Sequence, residues 1–294
     1  MHLENIKNRH MQNNHVKYWS LLVLLLAMLL FGNCEEKKDY DITNINHNTI
    51  MILGHRGMGD HFQYPGNTLE SILPVLEIGA DGCEIDVQIT KDSVLVLFHN
   101  EELNTRTQCD GQIYDFTWEE IKNCNYTALH TNVKLISVDE LFSNIGEPGN
   151  FYFSFDCKLN SDNAYNINYR KIFLRAIKNI SNKYNMSGNI FIEGDLNFLL
   201  LAKELGLNNK GFLIGSSTDA AIENNIFGVG ATVNTSFDTI KYAHDNGIYV
   251  MMWGAKTDIG NKQALKLNPD ILQTDKPIPL LMLLDRMNYG ATNP

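Results

Sequence analysis

A (β/α)8 barrel with a small insertion after its second strand is the fold this sequence predicts, and three observations carry the prediction. Short β-branched or apolar runs recur eight times, at 50–55, 82–90, 151–159, 190–193, 211–215, 231–235, 248–254 and 271–274. Helical patterns with apolar residues three and four apart follow nearly all of them, notably at 68–77, 169–184, 196–205, 238–246 and 279–287. Polar residues able to do chemistry gather where the first runs end, which is the active face of such a barrel. A doubly wound open sheet is the runner-up, and no glycine-rich dinucleotide loop supports it.

One unit is irregular. A further short strand at 94–99 follows Thr90 after only Lys91-Asp92-Ser93. That link is too short for a parallel crossover, so the strand turns back beside the second one. Pairing Asp86 with His99 would put both on one face, and a slip of one residue would send His99 outward. Residues 100–134 form a polar insertion with a short helix expected near 118–124, placed to cap the site.

The N-terminal part has a different character. Lys7, Arg9 and Lys17 precede an unbroken apolar run at 21–31, then Gly32-Asn33-Cys34. This is the layout of an export signal, and the run is short of the roughly 20 residues that span a bilayer. The segment also resembles a bacterial lipoprotein signal, with Cys34 as the acylated anchor. The expected organisation is a signal over 1–33, a polar tether over 34–48 and a barrel domain over 49–294. Export places the chain in a bacterial envelope as a membrane-anchored lipoprotein, or as a periplasmic or secreted soluble protein. A formal net charge of −10 and the lack of a basic stripe argue against a nucleic-acid partner. Of the remaining cysteines, Cys83, Cys109, Cys124 and Cys157 allow three pairings. Cys109 and Cys124 share the insertion, and an oxidising compartment would permit a bridge between them.

The strand-end residues define a chemistry. Glu84 and Asp86 are two apart on one strand and share a face, as do Asp156 and Lys158 on the next barrel strand. Convergent carboxylates repel unless a cation sits between them. An oxygen-only set suits one hard divalent ion, Mg²⁺ or Ca²⁺. Arg56 then reads as a bidentate phosphate clamp and Lys158 as a point charge for the same anion, or as a partner of Glu84 or Asp86. His55 and His99 are left to move protons near neutral pH. Trp253, near the end of the run at 248–254, offers a ring face to an apolar or cationic group of a ligand, or is a rim aromatic.

These residues carry a resemblance. His55-Arg56-Gly57, Pro65-Gly66-Asn67-Thr68, the run 79–87 that holds Glu84-Ile85-Asp86, then Thr90-Lys91-Asp92, His99, residues 104–107 with Gly111, Trp253 and Thr274-Asp275-Lys276-Pro277 resemble the glycerophosphodiester phosphodiesterase family. The resemblance runs from about residue 50 to 280. It implies that His55 and His99 are the acid/base pair, that Glu84, Asp86 and Asp156 ligate one metal, and that Arg56 and Lys158 hold the phosphate. Gly66 stands where the family usually has Glu, Asn100 where Asp usually follows the second histidine, and Asp156 where the third ligand is usually Glu. Glu193-Gly194-Asp195 stands where Ser-Phe is usual.

The implied activity is metal-dependent hydrolysis of small glycerophosphodiesters to glycerol 3-phosphate and an alcohol. A phospholipase D-like or sphingomyelinase D-like enzyme acting on intact lyso- or sphingolipids is an alternative on the same barrel. A non-catalytic surface binding protein is the alternative of another class.

Overall fold

Nine strands form one sheet, in order β1 (Met51–His55), β2 (Gly82–Ile89), β3 (Leu95–Leu97), β4 (Tyr152–Cys157), β5 (Ile190–Gly194), β6 (Lys210–Leu213), β7 (Gly228–Thr232), β8 (Tyr249–Ala255) and β9 (Ile271–Thr274). All but β3 are parallel, and β1 pairs with both β2 and β9, which closes the eight-stranded barrel. The computed structural model describes residues 40, 42–128 and 132–292. The signal, Cys34 and residues 35–39 lie outside the described residues. No helix among the described residues is long and apolar enough to cross a membrane.

Helices α1 (Leu69–Glu77), α2 (Trp118–Ile121), α3 (Val138–Ile145), α4 (Ile167–Lys183), α5 (Leu196–Glu204), α6 (Thr218–Glu223), α7 (Phe237–Asp245), α8 (Asp258–Leu267) and α9 (Pro277–Leu283) complete the units. Their starts follow from local chemistry. Ser137, Asn166, Asp195, Ser217, Ser236 and Thr257 each accept a hydrogen bond from a first-turn N–H. Pro277 starts α9, where its missing N–H costs nothing, so this helix begins and ends earlier than the apolar spacing predicts.

Strand β7 also differs from the expected 231–235. It runs Gly228–Thr232, because Thr235 N donates to Thr232 O at 2.9 Å and the chain turns there before the Ser236 cap. Inside the barrel, Leu53, Phe191, Phe212, Met251 and Ile271 pack as one apolar floor. Above it a polar layer crosses the lumen. Gln273 of β9 reaches Glu193 of β5 at 2.6 Å, a contact between non-adjacent strands that only the interior permits.

Residues 42–48 pack on the barrel. Thr43 N donates to Asn268 Oδ1 at 3.1 Å, Asn44 Nδ2 to Pro269 O at 2.8 Å, and Asn46 N to Asp270 Oδ1 at 3.0 Å.

The distal half of β2 leaves β1 and takes β3 as an antiparallel neighbour. The register is Val87 with Leu97, and Phe98 N donates to Asp86 O at 3.0 Å, so Asp86 faces Phe98 rather than His99. Phe98 thereby enters a second apolar cluster with Val96, Leu103, Ile113, Ile121 and Tyr126 inside the insertion. A disulfide joins Cys109 to Cys124 across that cap, with Cα atoms 5.9 Å apart.

Candidate active site

The site begins in a turn that departs from ordinary backbone. After His55, Arg56 takes φ +55° and Gly57 φ +102°. A side chain at Gly57 would meet Ser71 O at 2.5 Å, so glycine is required there. The left-handed conformation of Arg56 is uncommon for a residue with a Cβ. It is held because Arg56 N donates to both Glu84 O and Glu84 Oε2 at 3.0 Å. The Arg56 carbonyl accepts from Asn67 N at 3.0 Å and from Ser71 Oγ at 3.2 Å.

That turn aims the guanidinium at β2. Arg56 Nε lies 2.9 Å from Asp86 Oδ2, and its Nη1 lies 3.2 Å from Asp60 Oδ1. Asn67 braces the same aspartate twice, donating from Nδ2 to Oδ2 at 2.7 Å and accepting from Asp86 N at 3.0 Å. Lys158 Nζ bridges Asp86 Oδ1 at 3.2 Å and Asp156 Oδ2 at 2.6 Å. Burial pulls the Lys158 ammonium down, but the charges of Asp86 and Asp156 outweigh it and hold it above its ordinary range. Arg56 is likewise raised: burial opposes its charge, and Asp86 and Glu84 more than restore it.

Glu84 and Asp86 are buried and Asp156 is half-buried, with ligand oxygens within 4.8 Å of one another. Glu84 Oε1 is buried and has no hydrogen-bond partner. Burial, reinforced by the charges of Asp86, Asp156 and Glu193, pushes the Glu84 carboxyl well above the usual range. A buried carboxylate oxygen without a partner, facing two further carboxylates, is what a hard cation would satisfy. These three residues therefore fit a divalent ion. A second group, His55 with Asp60 and Asp275, is equally close. Its internal pairing reads instead as a hydrogen-bond network.

In that network His55 Nδ1 lies 2.5 Å from Asp275 Oδ1. The carboxylate acceptor assigns the ring proton to Nδ1, which leaves Nε2 turned toward Glu84 Oε2 at 3.8 Å. Burial alone would raise the Asp275 carboxyl, yet the hydrogen bond from His55 and the charge of that ring hold it below the usual range. His99 lines the cavity that Arg56 also lines. Desolvation lowers its pKa, with Arg56 and Lys158 acting in the same direction, against Asp86 and a weak 3.4 Å contact to Asn100 Oδ1. The one-residue slip does not carry His99 away, because β3 ends at Leu97 and the chain bends beyond it.

The structure thus brings His55, Arg56, Glu84, Asp86, Asp156 and Lys158 into one contact network, with His99 on its rim. Trp253 stands apart from those ion pairs. Its ring covers Gly230 of β7, where an added Cβ would come within 2.4 Å of it.

Two residues were not singled out by strand-end reasoning. Asp275 follows the last strand at the active face, and its signal in the sequence is its place in the Thr274-Asp275-Lys276-Pro277 motif, to which that reasoning attaches no role. Glu193 lies inside β5, accepting from Ser154 Oγ at 2.7 Å and Gln273 Nε2 at 2.6 Å. Burial and the charge of Asp156 push it up to about 7.

Comparisons with known proteins bear on the fold and the family. The glycerophosphodiester phosphodiesterase of Caldanaerobacter subterraneus is 36% identical over 101 residues, which cover 33% of this chain and 41% of that protein. The chain thus spans about two fifths of that curated relative's length. A phosphodiesterase of Oleispira antarctica, solved in complex with the product sn-glycerol-3-phosphate, is similar with a TM-score of 0.67 at 17% identity, over 80% of this chain and 96% of that one. The glycerophosphodiester phosphodiesterase of Thermotoga maritima is similar with a TM-score of 0.63 at 21% identity, over 81% of this chain and 99% of that one. At such identities the two structures establish the barrel fold. The model of the glycerophosphoryl diester phosphodiesterase family matches residues 55–278, and the chain belongs to that family.

Proposed function

We propose that the protein hydrolyses glycerophosphodiesters to glycerol 3-phosphate and an alcohol, with His55 and His99 as the acid/base pair and one divalent cation, Mg²⁺ or Ca²⁺, at Glu84, Asp86 and Asp156. The observation that carries this reading is the buried, unpartnered Glu84 Oε1 beside a histidine oriented by Asp275. When bound, the cation supplies Lewis-acid polarisation of a phosphoryl oxygen.

The chain's own residues do the rest. Arg56 and Lys158 place positive charge where the phosphoryl oxygens gather negative charge. Asn67 and the Glu84 backbone hold Arg56 and Asp86 in place before substrate arrives, so little reorganisation is needed on binding. His55 and His99 divide the two proton transfers, one from the attacking hydroxyl and one to the departing alkoxide. Trp253 offers its face to an apolar or cationic part of the substrate.

Release of glycerol 3-phosphate from glycerophosphoglycerol tests the reading. Activity should need added divalent metal and vanish in His55→Ala and in His99→Ala; full activity in either variant rejects the assignment. The proposal extends to export, with Cys34 as a lipid anchor. The Cys109–Cys124 disulfide supports an oxidising compartment. Fatty-acid labelling of the full chain should be lost in Cys34→Ala.

A further inference from the structure

A cavity of about 490 Å³ opens beside the site, between the loop that holds Asp60 and Gly66 and the disulfide-tied cap. Its volume is in the range of small-molecule sites, about 300–1,000 Å³. Arg56 and His99 form the end that meets the catalytic residues, and Arg106 and Tyr126 of the cap line it as well.

The charges on this wall are unequal. Asp60 is its single carboxylate among the described residues, and Arg56 already pairs with it. Arg106 has no ion-pair partner among the described residues. In a chain of formal net charge −10, an unpaired guanidinium on a cavity wall is a local reversal of sign.

The Arg106 side chain is exposed, and its backbone is held in the cap. Its carbonyl accepts from Thr127 N at 2.9 Å and from Thr127 Oγ1 at 3.1 Å. The next residue, Thr107, bridges to Tyr126, and the disulfide closes the same two segments two residues further on. The wall stays open at Gly66, where even a Cβ would come within 2.7 Å of Arg56 Cβ.

We propose that this cavity is the subsite for the alcohol half of the diester, and that it selects alcohols bearing an additional anionic group, recognised by Arg106. The inference rests on the phosphodiesterase reading above. The glycerol half is small and uncharged, so a roomy, positively charged cavity matches the variable half. The tilted Phe62–Tyr64 ring pair, with centroids 5.9 Å apart, would suit a quaternary ammonium, but the excess of guanidinium over carboxylate disfavours one.

The test uses a matched pair of substrates, glycerophosphoglycerol and the same diester phosphorylated on its alcohol half, with the full chain loaded with divalent metal. The wild type should show kcat/KM roughly tenfold or more higher for the phosphorylated diester. Arg106→Ala should bring the ratio close to one, and Arg106→Lys should restore part of it. A wild-type ratio near one, or a ratio unchanged in Arg106→Ala while glycerophosphoglycerol is cleaved, overturns the subsite and leaves the phosphodiesterase reading intact. Cleavage of neither diester overturns both.

Discussion

Asp275 Oδ1 lies 2.5 Å from His55 Nδ1, so the residue after the last strand orients the ring supplied by the first. Closure of the barrel makes this contact possible, because β1 and β9 are neighbours in space though more than 200 residues apart. Asp275→Asn should keep the fold and lose roughly 10²–10⁴-fold in kcat, the usual worth of a positioned acid or base. Steady-state kinetics beside an unchanged far-UV spectrum checks it. Because the Asp275 pKa is depressed in the folded state, the stability it contributes is present at neutral pH. That stability is lost as pH falls below the ordinary aspartate range.

His99 makes a separate prediction. Its lowered pKa keeps the ring neutral at pH 7, so an NMR titration of the resting enzyme should give a midpoint below the ordinary 6.5. A midpoint above that value would contradict the desolvated environment described for it.

The metal-free protein should become more stable as pH falls from neutral toward the unfolded carboxyl range, since Glu84 is raised well above 4.5 and Glu193 to about 7. The folded state binds more protons than the unfolded one in that window, which sets the sign. Glu84→Gln should raise the Tm of the chelated protein by roughly 2–4 °C and abolish the rise that divalent metal gives the wild type. Calorimetric scans with and without chelator decide it.

Breaking the Cys109–Cys124 bridge by double substitution to serine should cost about 3 kcal/mol, the chain-entropy value for a loop of 15 residues. Denaturant titration measures it. Thiol labelling of the unfolded, unreduced barrel domain should find Cys83 and Cys157 alone.

Gly230→Ala would drive a methyl group into the Trp253 ring. If Trp253 faces substrate, KM should rise roughly tenfold, about 1.4 kcal/mol, with a smaller change in kcat. Its fluorescence should shift in the same variant.

Much of this barrel was legible because parallel strands buried on both faces read as apolar runs, and because i, i+2 spacing puts Glu84 with Asp86 and Asp156 with Lys158 on one side. The register of β3 was not legible. Phe98 and His99 are adjacent, and which of them faces Asp86 is decided by the cap cluster that accepts the Phe98 ring, a long-range packing preference. Gly228 and Gly230 hid the start of β7, since glycine carries no strand preference of its own. Asp275 and Glu193 were obscure for a related reason. Each is a lone carboxylate whose meaning depends on strands brought beside it only by closure.

The cap has its own apolar cluster and its own covalent tie, and it delivers His99. His55 and the three carboxylates come instead from the barrel wall. The active site is therefore assembled from both the cap and the barrel wall, and the cap, as the smaller part, is expected to open first. Warming, or reduction of the bridge, should silence turnover while the barrel's amides still resist hydrogen exchange. Loss of activity then reports the melting of a few dozen residues, well before the molecule unfolds.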